Sequence, residues 1–205
     1  MQKNNHGCIL HDMRKVRPQN GYLEVIAGPM FCGKTEELIR QVRRAAIAKK
    51  KIQVFKHIID TRYGKGKKLF SHAGLTFESE VISRPSQILR RLHPRTEIVA
   101  IDEAQWFGPG LTPVVQKLLG RGTRVLVAGL ALTYDRQPFA PIPDLMAIAD
   151  KVVKLSAICA LCGSEAVYHK RITKAGKIDP HNPDPSLVGK IDSYQPRCRN
   201  CYGKL

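Results

Sequence analysis

Residues 28–35 of this chain, Gly28-Pro29-Met30-Phe31-Cys32-Gly33-Lys34-Thr35, follow the spacing G-x-x-x-x-G-K-[ST] and stand between a strand-like and a helix-like segment. Upstream, Tyr22-Leu23-Glu24-Val25-Ile26-Ala27 is short, mostly apolar and partly β-branched; downstream, Glu36, Glu37, Leu38, Ile39 and Val42 open a helix. Glycine at 28 and 33 allows backbone conformations that a Cβ would forbid, so successive N–H groups can turn inward around an anion. Lys34 is then expected to reach the β/γ-phosphates of a nucleotide, and the Thr35 hydroxyl to bind Mg²⁺. A strand, a phosphate-binding loop and a helix in this order imply a parallel sheet with helices packed on it.

The rest of the chain carries that pattern on. From Gly21 to about Ser156, short apolar runs alternate with helical patterns. Strands are expected at Leu23 to Ala27, Ile52 to Lys56, Ile98 to Ile101, Val125 to Ala128 and Val152 to Leu155. Helices are expected at Thr35 to Lys50, Ser86 to Leu92, Leu111 to Leu119 and Asp144 to Ala149. Asp60 to Gly74 is polar, basic and glycine-containing, and reads as a mobile loop. After Ser156 the character changes: Arg171 to Ser193 is rich in proline and glycine with little periodicity, and a cysteine pair brackets it on each side. The expected fold class is α/β: a P-loop NTPase sheet of the RecA-like kind, parallel and flanked by helices, with a small C-terminal zinc-binding domain. The expected organisation is an N-terminal extension over 1–20, a P-loop domain over 21–156 and the zinc-binding domain over 157–205.

A second chemical site lies at Glu97-Ile98-Val99-Ala100-Ile101-Asp102-Glu103, an apolar strand ending in two carboxylates. An acid at such a strand tip can hold Mg²⁺ directly or through water, and its neighbour can accept a proton from an attacking nucleophile. Asp102 takes the metal side and Glu103 the base. Standing alone, the pair would read as solvated acids; coupled to the phosphate loop at a βαβ spacing, the chemical reading is preferred. Asp102-Glu103-Ala104-Gln105 also resembles the second motif of DExx helicases, which leaves a zinc-bearing, nucleic-acid-dependent P-loop ATPase as the alternative. Length opposes it, because those motors need two such lobes.

Cysteine spacing points to structure rather than reaction. Cys159-Ala160-Leu161-Cys162 and Cys198-Arg199-Asn200-Cys201 are C-x-x-C pairs separated by 35 residues, whereas Cys8 and Cys32 stand apart. Four thiolates suit a tetrahedral Zn²⁺ and leave no open position for chemistry. Two disulfides are the competing reading, weakened by the lack of a secretion signal in the first 20 residues. No apolar run approaches the length of a membrane span, so a cytoplasmic location without membrane attachment is expected. The formal net charge of +17 raises nucleic acid as a partner, but the Lys and Arg are spread and few aromatics interleave with them. A solvated basic surface that attracts small anionic ligands is the preferred reading.

With these residues in view, the chain resembles the type II thymidine kinases, zinc-containing P-loop deoxynucleoside kinases. GPMFCGKT at 28–35 is similar to the family's GPMFSGKS, Asp60-Thr61-Arg62-Tyr63 to its DTRY, and IDEAQWF at 101–107 to its IDEGQFF. Arg136-Gln137-Pro138-Phe139 is similar to RxxPF, and Val188-Gly189 through Tyr194 to Cys201 resembles the segment joining a substrate-binding lasso to the last zinc pair. The likeness runs from Gly21 to the C-terminus.

It implies transfer of the ATP γ-phosphoryl to the 5′-hydroxyl of thymidine, with deoxyuridine as a second acceptor, giving dTMP for pyrimidine salvage. It implies Glu103 as proton acceptor, Lys34 and Arg62 as charge-neutralising groups, and Asp60 within the ATP and Mg²⁺ set. Met30 and Tyr134 would line the nucleoside pocket; Pro185, Ser186, Leu187, Val188 and Gly189 would lie over the base, with Tyr194 following. Zinc would hold the lasso ends, and a homotetramer is implied. Three departures stand out. Cys32 replaces a serine and puts a thiol beside a basic group, the setting of a reactive cysteine. Tyr134 stands where phenylalanine is usual, and Ala131-Leu132 replace an Asp-Gly, which bears on nucleoside selectivity.

Overall fold

The computed structural model describes residues 21–59, 68–70, 76–172 and 193–204. In chain order the elements are β1 (Tyr22–Ala27), α1 (Lys34–Ile47), β2 (Ile52–His57), β3 (Lys68–Phe70), β4 (Thr76–Glu78), β5 (Glu80–Ile82), α2 (Ser86–Arg91) and β6 (Ile98–Asp102). There follow a 3₁₀ turn (Ala104–Phe107), α3 (Leu111–Leu119), β7 (Arg124–Gly129), α4 (Ile142–Ile148), β8 (Lys151–Lys154), β9 (Ala157–Ile158), β10 (Glu165–Ala166), β11 (Tyr168–Arg171) and β12 (Tyr194–Arg197).

Six strands form one sheet in the order β5-β2-β6-β7-β1-β8, every pair parallel. Alternation along β1 explains how both faces are covered. Leu23, Val25 and Ala27 join a core with α2, α3 and α4, while Ile26 joins a second core beneath α1. On α1, Leu38, Ile39 and Val42 recur at helical spacing and are fully buried against Val54, Ala100 and Leu126. Each such side chain contributes about 1.5–3 kcal/mol of burial.

The register aligns Ala27 with Gly129 and Ile101 with Val127. The carboxyl ends of β1, β7 and β6 therefore lie along one edge, where open α/β sheets bind ligands. β7 separates the strand that feeds the glycine-rich loop from the strand that carries Asp102.

Several boundaries differ from the sequence expectation. Helix α1 stops at Ile47 rather than Lys50, because Lys49 turns into the left-handed region at φ 57° and the amide of Lys50 bonds Ala45. Helix α4 starts at Ile142, two residues earlier than expected; Pro143 sits in the first turn, where a missing N–H costs nothing. β5 was not foreseen, since three residues carry too little periodicity to register. The segment after Ser156 holds two antiparallel pairs, β9 with β10 and β11 with β12, so Arg171 closes a strand rather than opening a loop. Most of the expected mobile loop at 60–74, most of the segment at 171–193 and the extension at 1–20 lie outside the described residues.

Candidate functional site

The turn from β1 into α1 is built as the motif requires. Gly33 occupies φ 82°, a left-handed conformation suited to glycine, and caps α1 without a side-chain hydrogen bond. Phe31 also sits at positive φ, 65°, so the loop is held in an uncommon backbone shape. Lys34 is buried and curls over its own loop, its Nζ donating to the Pro29 carbonyl at 2.5 Å and to Cys32 Sγ at 3.7 Å. Thr35 Oγ1 donates to Asp102 Oδ2 at 3.0 Å, bringing the start of α1 to the tip of β6.

Glu103 follows Asp102 and is 8% exposed. Its backbone lies at φ 49°, ψ 42°, a left-handed conformation rare for a residue with a long side chain. Gln105, from the 3₁₀ turn, donates through Nε2 to Glu103 Oε2 at 2.5 Å and accepts the Leu130 N–H at Oε1 at 3.0 Å. Trp106 stacks edge-on against Phe139, and its indole N–H is buried without a partner among the described residues.

The C-terminal strands reach the same region. His169 on β11 is 3% exposed, and its Nδ1 has no hydrogen-bond partner among the described residues. Burial first, then the nearby Lys34 charge, push its pKa down to about 3, opposed by Glu103. Its ring meets Tyr194 edge-on at 6.0 Å, and Tyr194 lies 6.3 Å from Tyr134. The Tyr134 carbonyl accepts from the Tyr202 hydroxyl, which ties the loop after β7 to the C-terminus. Beside the glycine-rich loop, Gly28, Pro29, Ala131, Leu132, Met146 and His169 line a cavity of about 340 Å³. The residues at 131 and 132 thus contribute to a hollow next to the loop.

All four cysteines predicted to bind metal converge. Their sulfurs lie within 4.8 Å of one another, and Cys162 Sγ is 3.7 Å from Cys198 Sγ. A tetrahedral site with Zn–S bonds of about 2.3 Å has edges of about 3.8 Å, so the spacing fits zinc. None of the five described cysteines is disulfide-bonded, which removes the disulfide alternative. The protonation pattern agrees. The Cys159 thiol is pulled down to about 6, first by the backbone N–H of Cys198, whereas Cys201 is pushed up to about 12 by hydrogen bonding to Cys162 and then Cys198. Sulfurs this crowded cannot all ionise without a cation among them. Phe31 and Cys32 pack against a small core made of Ala157, Ala166 and three of these cysteines, Cys159, Cys198 and Cys201.

The reactive-thiol expectation for Cys32 is corrected. Burial raises its pKa in spite of Lys34, so the thiol stays protonated. Arg62, Asp60, Pro185, Ser186, Leu187, Val188 and Gly189 lie outside the described residues. Sequence reasoning missed Gln105 and His169 as members of this neighbourhood. Gln105 carried a signal, standing two residues beyond the acid pair; His169 carried none, because its burial depends on how β11 docks.

A parallel sheet with a glycine-rich loop at the carboxyl end of β1, joined through Thr35 to an acid on β6, defines a P-loop nucleotide-binding protein. Residues 21–202 match the family model described as Thymidine kinase. The chain belongs to the thymidine kinase family, and is therefore a kinase of the thymidine-phosphorylating class that uses ATP and Mg²⁺. No described helix is long and apolar enough to cross a membrane.

Proposed function

We infer that the protein transfers the γ-phosphoryl of ATP to the 5′-hydroxyl of thymidine, with deoxyuridine as a second acceptor, yielding dTMP. The observation that carries this is the 3.0 Å bond from Thr35 to Asp102, with Glu103 the next residue. It joins an anion-binding loop to a carboxylate pair, the minimum that phosphoryl transfer needs.

In this reading the amides of Gly28 to Thr35 hold the triphosphate, with Pro29, Met30, Phe31 and Cys32 as the loop between the glycines. Lys34 leaves the Pro29 carbonyl and turns to the β/γ-phosphates. Mg²⁺, held by Thr35 and Asp102 with Asp60 nearby, would supply positive charge against the phosphate oxygens. Glu103 accepts the 5′-hydroxyl proton as the new P–O bond forms and the bond from the γ-phosphorus to the β,γ-bridging oxygen breaks to release ADP, a role that contributes about 10²- to 10⁴-fold in rate. Arg62 adds charge stabilisation. Tyr134 and Met30 pack on the base, Tyr194 borders it, and Pro185 to Gly189 cover it through backbone contacts. Residues 157–205 form a zinc-held unit on the kinase domain of 21–156, with zinc structural rather than catalytic. A cytoplasmic homotetramer in pyrimidine salvage completes the proposal.

The test is a nucleoside panel with ATP and Mg²⁺, scored for nucleoside 5′-monophosphate, run beside ATP hydrolysis with DNA or RNA. Thymidine-dependent formation of dTMP supports the reading. ATP turnover stimulated by nucleic acid and indifferent to thymidine would replace it with the zinc-bearing ATPase alternative.

A further inference from the structure

Glu103 stands in a backbone conformation that it would not choose by itself, and its carboxylate is buried. Something in the surroundings must set where that carboxylate points and keep it charged. Gln105 is 2% exposed and uses both ends of its amide: Nε2 donates to Glu103 Oε2 at 2.5 Å, and Oε1 accepts the Leu130 N–H at 3.0 Å. The direction of this amide is dictated by chemistry. A backbone N–H only donates and an ionised carboxylate only accepts, so a flipped amide would oppose two donors at one end and two acceptors at the other. Leu130 follows directly on β7, the strand between the loop-bearing and acid-bearing strands, so the sheet itself orients the glutamine.

Room for this arrangement comes from Gly129. A Cβ there would lie 2.8 Å from Gln105 Oε1 and 2.6 Å from Ile142 Cδ1, distances that force one of them to move. The 3₁₀ turn is likewise anchored at its start, with the Trp106 amide bonding the Glu103 carbonyl at 3.1 Å. The Gln105 amide, fixed at its other end by the Leu130 N–H, thus reaches the carboxylate at Oε2, while the Trp106 amide holds the backbone of the same residue.

We propose that Gln105 is a positioning residue for phosphoryl transfer: aligned by the Leu130 N–H, its amide holds the Glu103 carboxylate in its proton-accepting place and in its ionised form. This rests on Glu103 being the base. A donor hydrogen bond to a carboxylate favours the charged form, so its loss favours the protonated one. Among the described residues, the charged or titratable groups near Glu103 include Asp102 before it on β6, Lys34 on α1, and His169 on β11, whose imidazole senses both Lys34 and Glu103. None of them is removed by a change at Gln105.

The experiment is steady-state kinetics against pH for the zinc-loaded full chain, with Gln105→Leu, Gln105→Glu, Glu103→Gln and the double variant Glu103→Gln/Gln105→Leu. For Gln105→Leu, kcat is expected to fall about 10- to 100-fold, within the range that a general base commands, while KM for ATP and thymidine changes little. The acidic limb of kcat should move up by about one pH unit. Gln105→Glu has the same shape and keeps the Leu130 contact, so it tests the idea even if the leucine variant folds poorly. Placing a second carboxyl beside Glu103, it should raise the acidic limb further.

In the double variant, Gln105→Leu should cost nothing beyond Glu103→Gln, because the glutamine acts only through that carboxylate. A Gln105→Leu effect of equal size in both backgrounds, or an unmoved acidic limb in Gln105→Glu, overturns the proposal and leaves Glu103 as base. Full activity of the single Glu103→Gln variant instead removes the base assignment itself.

Discussion

Thr35 Oγ1 and Asp102 Oδ2 lie 3.0 Å apart, although 67 positions separate them in the chain and β7 runs between β6 and the strand β1 that leads into the loop and α1. The bond requires the loop-bearing helix start and the acidic strand tip to meet above the edge of the sheet. A cation shared by the hydroxyl and the carboxylate would occupy this junction.

Replacing Asp102 with asparagine keeps the shape and the hydrogen-bonding partner of Thr35 while removing the negative charge. Phosphoryl transfer is expected to fall by about 100-fold or more, with a higher Mg²⁺ concentration needed for half-maximal rate. Initial rates over a Mg²⁺ titration check this, and a variant with the parental Mg²⁺ dependence would exclude Asp102 from metal binding.

Metal removal should reach the phosphate loop. Phe31 and Cys32 pack on the cluster that contains Cys159, Cys198 and Cys201. Structural zinc is worth about 10–16 kcal/mol of apparent binding free energy in small modules, so its loss should unfold this support. Cys198→Ser, or chelation, is expected to lower zinc content and weaken ATP binding, both measurable by metal analysis and nucleotide titration. Undiminished ATP affinity in zinc-free protein would disprove the coupling.

His169 predicts a specific acid sensitivity. Its folded-state pKa is depressed to about 3 from an unfolded value near 6.5. The unfolded chain therefore binds the extra proton first as pH falls. The stability contributed by the neutral, buried ring is fully present above about 6.5 and is lost progressively toward about 3. Burial at this site supports an effect on the order of a few kcal/mol over that window. Urea denaturation at several pH values should show a steeper decline for the parent than for His169→Gln; equal slopes would contradict the assignment.

Gly129→Ala should destabilise the protein by about 1–3 kcal/mol through overpacking, because the added carbon would press on Ile142 and on Gln105. The midpoint of chemical denaturation reads this directly. A change below a few tenths of a kcal/mol would mean that Ile142 and the glutamine can retreat without cost.

Local features were legible in advance because their geometry is written over a few residues. The loop of 28–35, the apolar run into Asp102 and Glu103, helix α3 and the two cysteine pairs depend on spacing alone, and each appears where spacing placed it. Cys32 shows where that kind of reasoning stops. Its neighbour Lys34 suggested a reactive thiol, but Cys32 packs against the small core of the C-terminal segment, and burial outweighs the cation. The short strand β5 was invisible for a similar reason: three residues acquire their meaning only from pairing with β2.

By itself, the amino-acid order determined a phosphate-binding turn, an acidic strand end and a four-sulfur cluster, because bond geometry and ligand valence act at short range. Tertiary structure alone decided that β7 separates β1 from β6, that the amide of Leu130 orients Gln105 toward Glu103, and that His169 is enclosed beside Lys34. Those relationships join residues far apart in the chain, and their strengths depend on the water excluded when strands and helices pack.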